Sequence, residues 1–172
     1  VHVVLLGTVL NLCVKAHWWD RAWKIWSDFP LGSKSVVHYS TMIDLCAQVR
    51  REGAAESLFE EMPQVQVQPN LITYNSLLKT YSMTGNKAKA IETFKSVPAA
   101  VFEEAGTRTK QIYFQSVMQA CGREGDYAQA REIFMEMMQA GIQPQIPHYV
   151  ALLTACARAV DAETAEGVFK SM

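Results

Sequence analysis

Two columns of residues recur along this chain at a spacing of about 35 positions, and that periodicity leaves few folds open. Aromatic residues open successive apolar stretches at Tyr39, Tyr74, Phe114 and Tyr149, separated by 35, 40 and 35 positions, and Leu6 stands in the same place 33 positions before Tyr39. Twenty residues after these anchors come Trp26, Phe59, Phe94, Phe134 and Phe169, and sixteen after them come Ala22, Ala55, Ala90, Ala130 and Ala165. An aromatic column and an alanine column in five copies mark an internal repeat.

Each copy reads as a helical hairpin. Apolar residues follow the anchor at helical spacing, as in Tyr74, Leu77, Leu78 and Tyr81. Gly85 and Gly125 break two copies at the turn, and a second amphipathic stretch follows, such as Ala90, Ile91, Phe94 and Val97. The alanines imply close approach of neighbouring helices, and the aromatics supply the main buried surface of each second helix. Pro69 and Pro144 end one copy and pre-set entry to the next. Helix pairs this short cannot bury both faces alone, so stacked neighbours must supply the core. The expected fold is all-α, an α-solenoid of about five helical hairpins with units 3–35, 36–70, 71–110, 111–145 and a truncated 146–172. The third unit is five residues too long around "SVPAAVFEEAGTRTK". The chain begins at Val1 without an initiator Met and stops at Met172 inside a helical pattern, so it reads as one solenoid segment of a longer protein.

Charge and chemistry narrow the function. Sixteen basic and 17 acidic residues give a net charge of −1, so any nucleic-acid binding must rest on local placement of charge. The apolar runs are too short and interrupted to span a bilayer. Cys13, Cys46, Cys121 and Cys156 each fall seven residues after an anchor, with Tyr81 in that place in the third copy. Thiols a repeat apart suit neither disulfides nor a tetrahedral metal site, so they read as small buried hydrophobes, and no metal or cofactor is expected. No phosphate loop, nucleophile elbow or zinc-deaminase signature is present, and the acidic pairs of "FEEM" and "FEEAG" point apart on a helix. Neither catalysis nor a small-molecule substrate is expected. His38 and His148 read as ordinary helix-start residues, and His2 and His17 lack companions at ligand spacing. Trp26 belongs to the core column, and Trp23 is placed to pack one turn before it. Trp18 and Trp19 fall at a turn, as exposed indoles that pack on a preceding unit, dock a partner or stack on a base.

The openings "VVHYSTMIDLC", "QPNLITYNSLLKTY" and "IPHYVALLTAC", with the second stretches "AAESLFEEM" and "AREIFMEMMQAGIQP", resemble the pentatricopeptide repeat family of organellar RNA-binding α-solenoids. The period of 35 and the "QPN-L-ITYN" junction favour it over tetratricopeptide repeats. The resemblance covers nearly the whole chain and implies a right-handed solenoid in which each unit meets one base of single-stranded RNA. It implies that the residue after the anchor and the last residue of the unit choose the base. Those positions hold Ser40 with Asn70, Asn75 with Lys110, and Gln115 with Gln145. The Ser40/Asn70 pair implies adenine and Asn75 a pyrimidine. Gly7 with Ser35, and Gln115 with Gln145, match no combination, and Val150 has no directional hydrogen bond to offer. The family's base-wedging position holds Val4, Val37, Ile72 and Ile112, with Pro147 as a departure. Nine residues after the anchors, Lys15, Arg123 and Arg158 are placed to track a phosphate backbone, while Gln48 and Met83 interrupt them.

Two functions follow from the resemblance. One is binding of single-stranded RNA in chloroplast or mitochondrial RNA processing, stabilisation or translation. The other is a structural scaffold within a larger organellar assembly, meeting protein or structured RNA without base readout, with Trp18 and Trp19 as partner contacts.

Overall fold

The computed structural model describes residues 2–170, apart from the side chains of His2, Val3, Val4 and Leu31. Among the described residues there are eleven α-helices and no strand. They are α1 (His2–Ala16), α2 (Trp19–Asp28), α3 (Val36–Gln48), α4 (Glu52–Gln64), α5 (Leu71–Thr84), α6 (Lys87–Ser96), α7 (Ala99–Glu104), α8 (Thr107–Glu124), α9 (Tyr127–Gln139), α10 (Ile146–Ala159) and α11 (Ala162–Lys170). No helix among these residues is long and apolar enough to cross a membrane. The helices form two compact units, residues 1–84 and 85–172.

In the first unit α3 packs between α1 and α5, α2 packs against α1 and α3, and α4 against α3 and α5. The Trp26 ring of α2 meets Tyr39 edge-on at 4.8 Å, and Phe59 of α4 meets Tyr74 at 5.1 Å. Each aromatic of a second helix therefore seats on the anchor of the next copy, which is why both columns recur. Each such pair adds about 0.5–1.5 kcal/mol beyond its buried area. The Tyr39 hydroxyl donates to the Glu61 carboxylate, and the buried Lys34 ammonium lies 4.3 Å over the Trp26 ring. Burial pulls the Lys34 ammonium below the ordinary lysine range, partly offset by Glu61.

The second unit repeats the arrangement. α8 packs against α6, α9 and α10, and α10 against α9 and α11. Phe94 meets Phe114 at 5.5 Å and Phe134 meets Tyr149 at 5.2 Å. Phe169 is 69% exposed. Ala22, Ala55, Ala90 and Ala130 are fully buried, as close helix approach requires.

The turn inside every hairpin obeys one rule that only two glycines disclosed. His17, Arg50, Gly85, Gly125 and Val160 stand eleven residues after their anchors, and all are left-handed, with φ of 53°, 56°, 86°, 74° and 58°. In four of the five the next residue donates its N–H to the carbonyl of the cysteine column: Trp18 to Cys13 (2.9 Å), Arg51 to Cys46 (2.9 Å), Asp126 to Cys121 (3.1 Å) and Asp161 to Cys156 (3.0 Å). This is the Schellman closure of a helix C-terminus. The four thiols are buried and free. Burial pushes Cys46 up to about 12 and Cys121 up to about 11, which leaves them protonated and unreactive at neutral pH.

The long third unit resolves into an extra element. Pro98 precedes the short helix α7, and α8 then starts at Thr107 behind Gly106. Consequently α8 runs 18 residues where α3, α5 and α10 run 13 to 14.

Candidate functional site

The openings of the first helices carry the residues singled out above. Their geometry is set by N-terminal capping, which fixes where each helix begins. His38 takes the third position of α3 and its Nδ1 accepts from the Ser35 N–H at 3.0 Å. His148 does the same for α10, accepting from Gln145 N–H at 2.9 Å. With Nδ1 an acceptor, the His148 Nε2–H donates to the Gln111 carbonyl at 2.9 Å and ties α10 to α8. In α5 the third position is Thr73, whose N–H donates to Asn70 Oδ1 at 3.1 Å, while Asn70 N–H donates to Thr73 Oγ1 at 3.3 Å.

In the first unit this places Val37, Ser40, Asn70 and Ile72 around one open groove of about 320 Å³, shared with Asn11, Asp44 and Ser76. Val37 and Ile72 are exposed on its rim, 61% and 54%. The polar groups are ordered by a hydrogen-bond chain. The Thr73 hydroxyl donates to Asn70 Oδ1 at 3.1 Å, so the Ser40 hydroxyl, 2.9 Å from Thr73 Oγ1, must be the donor there. Ser40 Oγ is left with lone pairs for a ligand, and Asn70 with its two amide N–H donors. Asp44, in the same groove, is neutralised by Lys79 at 2.6 Å.

In the second unit Ile112, Gln115 and Gln145 line a groove of about 400 Å³ with Arg108, Gln111 and Pro147. Lys110 does not join them. Because α8 begins a turn early, Lys110 lies inside its first turn, with Nζ 5.0 Å over the Phe102 ring and donating to the Glu103 carbonyl at 3.3 Å. The place of a loop residue closing the unit, held by Asn70 and Gln145 at the other junctions, is taken by Gly106. Asn75 is buried on α5 in the first unit. The side chain of Val4 lies outside the described residues.

Lys15, Arg123 and Arg158 sit in the last turns of α1, α8 and α10, where a cation also complements the helix dipole. That is eight residues, about 12 Å, along the helix from the base-choosing position. Lys15 belongs to the first unit, Arg123 and Arg158 to the second.

The tryptophans are arranged differently from the expectation of two exposed indoles. Trp18 is 51% exposed, with the Arg21 guanidinium 4.6 Å above its ring. Trp19 is half-buried between Trp23, stacked at 5.1 Å, and Arg51, at 4.8 Å. Trp23 therefore packs on Trp19 near the surface. Three polar residues escaped the sequence reading: Thr73, Arg108 and Arg51. Thr73 had a signal, since Asn70 and Thr73 stand at capping-box spacing. Arg108 had one in Gly106, a glycine placed to cap an earlier helix start.

Solved structures of low identity share this fold. The pentatricopeptide repeat protein PPR10 in complex with an 18-nucleotide psaJ RNA element aligns over 98% of this chain and 24% of its own, at 17% identity and a TM-score of 0.79. The PPR domain of Arabidopsis thaliana protein-only RNase P 1, in complex with tRNA, aligns over 98% of this chain and 87% of its own, at 18% identity and a TM-score of 0.76. Among curated proteins, a chloroplastic pentatricopeptide repeat-containing protein of Arabidopsis thaliana is 27% identical over 121 residues, 70% of this chain. A mitochondrial one from the same plant is 25% identical over 138 residues, 80% of this chain. The chain spans only 13% and 28% of their lengths. The model of the pentatricopeptide repeat domain matches residues 33–84, 101–149 and 133–172, and that of the single PPR repeat matches residues 72–98. With matched segments over most of its length and the hairpin geometry described above, the chain belongs to the pentatricopeptide repeat family.

Proposed function

We propose that this chain binds single-stranded RNA along the openings of its first helices, within an organellar protein of RNA processing, stabilisation or translation. The observation that carries the reading is the groove of Val37, Ser40, Asn70 and Ile72. Two exposed apolar side chains flank a polar pair whose hydrogen-bond polarity is set by Thr73. Ser40 Oγ accepts and the Asn70 amide donates. Adenine presents the complement on its Watson–Crick edge, an amino group beside an acceptor nitrogen, while guanine and uracil present the reverse. Val37 and Ile72 are placed to sandwich the base. Relatives named chloroplastic or mitochondrial support the organellar setting, and the role is binding, with no chemistry on the RNA.

The test is fluorescence anisotropy of the chain with short single-stranded RNAs across a salt series. Oligoadenylate is expected to bind with an affinity that falls as salt rises. Asn70→Asp keeps the cap oxygen and replaces the amide donors, so it should weaken adenine-containing RNA about tenfold relative to uracil-containing RNA. Absence of binding at low salt rejects the reading.

A scaffold role is the second reading, supported by Trp18 with Arg21, an exposed indole and guanidinium of the kind enriched at protein interfaces.

A further inference from the structure

The groove of the second unit holds a cation for which the shorter helices have no place. The extra turn of α8 carries Arg108. Arg108, Ile112 and Gln115 stand at i, i+4 and i+7, on one helix face, and the same groove receives Gln145 from the start of α10. The Arg108 side chain is exposed, and among the described residues no carboxylate binds it. Its guanidinium donors are therefore available to a ligand. Arg123 and Arg158, the cations suited to phosphates, stand at the opposite ends of α8 and α10. Arg123 is fifteen residues, about 22 Å, along the helix from Arg108. Arg108 thus lies one turn before the wedge residue Ile112 and Gln115 one turn after it, with Gln145 lining the same groove, so a base beside Ile112 has a polar side chain toward each end.

We propose that Arg108 makes the α8/α10 groove a guanine-selecting subsite, an inference that rests on the RNA-binding reading above. Guanine offers two adjacent acceptors, O6 and N7, to the guanidinium fork. Its N1–H and amino group find an acceptor in the Gln115 amide oxygen. Adenine in the same place sets its amino group against the guanidinium donors. Uracil separates its two carbonyl acceptors by the N3–H donor. Cytosine, whose N3 and O2 are adjacent, offers the Gln115 oxygen only its amino group where guanine offers two donors. The glutamine pair that matches no family combination gains a physical role as the partner of an arginine supplied by the insertion.

The experiment measures affinity of the chain for oligoadenylates carrying a single interior G, U or C. We expect the G-containing RNA to bind about tenfold more tightly than the U- or C-containing one. Arg108→Ala should abolish that preference, bringing the G-containing RNA to the affinity of the U-containing one. Arg108→Lys should abolish it too, because an ammonium lacks the fork. Circular dichroism of both variants checks that the helices are intact. Three outcomes overturn the proposal. The wild type shows no guanine preference, or the preference survives in Arg108→Ala. Alternatively Arg108→Ala weakens every RNA equally and lowers the salt slope by about one, which makes the residue a phosphate contact. If the wild type binds none of these RNAs, the RNA-binding reading fails and this inference with it. Binding without guanine preference removes only the inference.

Discussion

The two compact units start their second helices differently. Twelve residues after each anchor, the second unit places Asn86, Asp126 and Asp161, and each side chain accepts from the backbone N–H three residues on, at 3.2, 3.1 and 3.0 Å. The first unit places Trp18 and Arg51 there, and neither caps its helix. A missing cap costs about 1 kcal/mol. Helices α2 and α4 form without one because tertiary packing of Trp26, Ala55, Leu58 and Met62 carries them. Instead the cap positions belong to a stacked surface in which Arg51 covers Trp19 and Arg21 covers Trp18. At these two neighbouring positions the first unit has stacking at the surface where the second has side-chain caps.

The largest effect expected from exchanging features between the units concerns helix approach. Eight residues after the anchor the first unit has the fully buried Ala47, and the second has Gly122. A Cβ at Gly122 would stand 2.8 Å from the Ala151 carbonyl oxygen of α10. Backbone cannot give way as a side-chain tip does, so Gly122→Ala should destabilise the second unit by about 1–3 kcal/mol. Ala47→Gly should cost only about 1 kcal/mol, from helix propensity. Urea denaturation read at far-ultraviolet wavelengths checks both, and equal losses would show that the α8/α10 approach is not the tighter one.

Next comes transplanting Arg51 into the capped unit. Asp126 caps α9 and also accepts from Lys87 at 2.8 Å, and Lys87 lies 3.2 Å from Glu124. Asp126→Arg removes the cap and sets two cations together, so a loss of about 2 kcal/mol is expected at neutral pH. The hydrogen bond from Lys87, then that from Gln129 N–H, holds the Asp126 carboxyl below the usual carboxylate range. A depressed carboxyl stabilises the fold above its unfolded value, near pH 4, and that contribution is lost as pH falls through the folded value. Hydrogen bonds to Asp126 and Glu124 raise the Lys87 ammonium, so its share is present below about pH 10 and fades as pH rises through the folded value. The gap between wild type and variant should therefore narrow below about pH 4. A gap unchanged down to pH 2 would mean that the ion pair adds nothing.

A smaller gain is expected at Val160. The left-handed turn position is glycine in two copies, but a β-branched residue holds it in the last at φ 58°, fully in solvent. Val160→Gly relieves that strain and should stabilise by about 1 kcal/mol, read as a higher thermal midpoint.

The hairpins and their stacking were legible because burial recurs at the repeat spacing: Ala22, Ala55, Ala90 and Ala130, like Cys13, Cys46, Cys121 and Cys156, are all buried. The left-handed column was legible only at Gly85 and Gly125, since His17, Arg50 and Val160 carry no chemical mark of the conformation imposed on them. Four of the residues that the resemblance singled out in the first unit line one groove, but the polarity of Ser40 and Asn70 depends on the Thr73 hydroxyl, which only the folded backbone brings across. Counting from the anchor failed at Lys110, because a helix starts where its cap lies. The cap, Gly106, lies four residues upstream of the closing position, and the earlier start brings Arg108 into the groove.

The smallest effect is also the sharpest test of the difference between the units. Arg51→Asp gives α4 the side-chain cap that α9 enjoys, worth about 1 kcal/mol, and removes the guanidinium from the Trp19 face, worth about 0.5–1 kcal/mol at an exposed site. The two terms nearly cancel, so the thermal midpoint should move by no more than about 2 °C. Trp19 fluorescence should nevertheless change, because one face of the indole is uncovered. A near-neutral result with altered fluorescence means that Arg51 is dispensable to the fold and that its stack serves the surface. A drop of several degrees would instead make the Arg51–Trp19 contact a structural joint between the first two hairpins, and the missing caps would then need no purpose beyond stability.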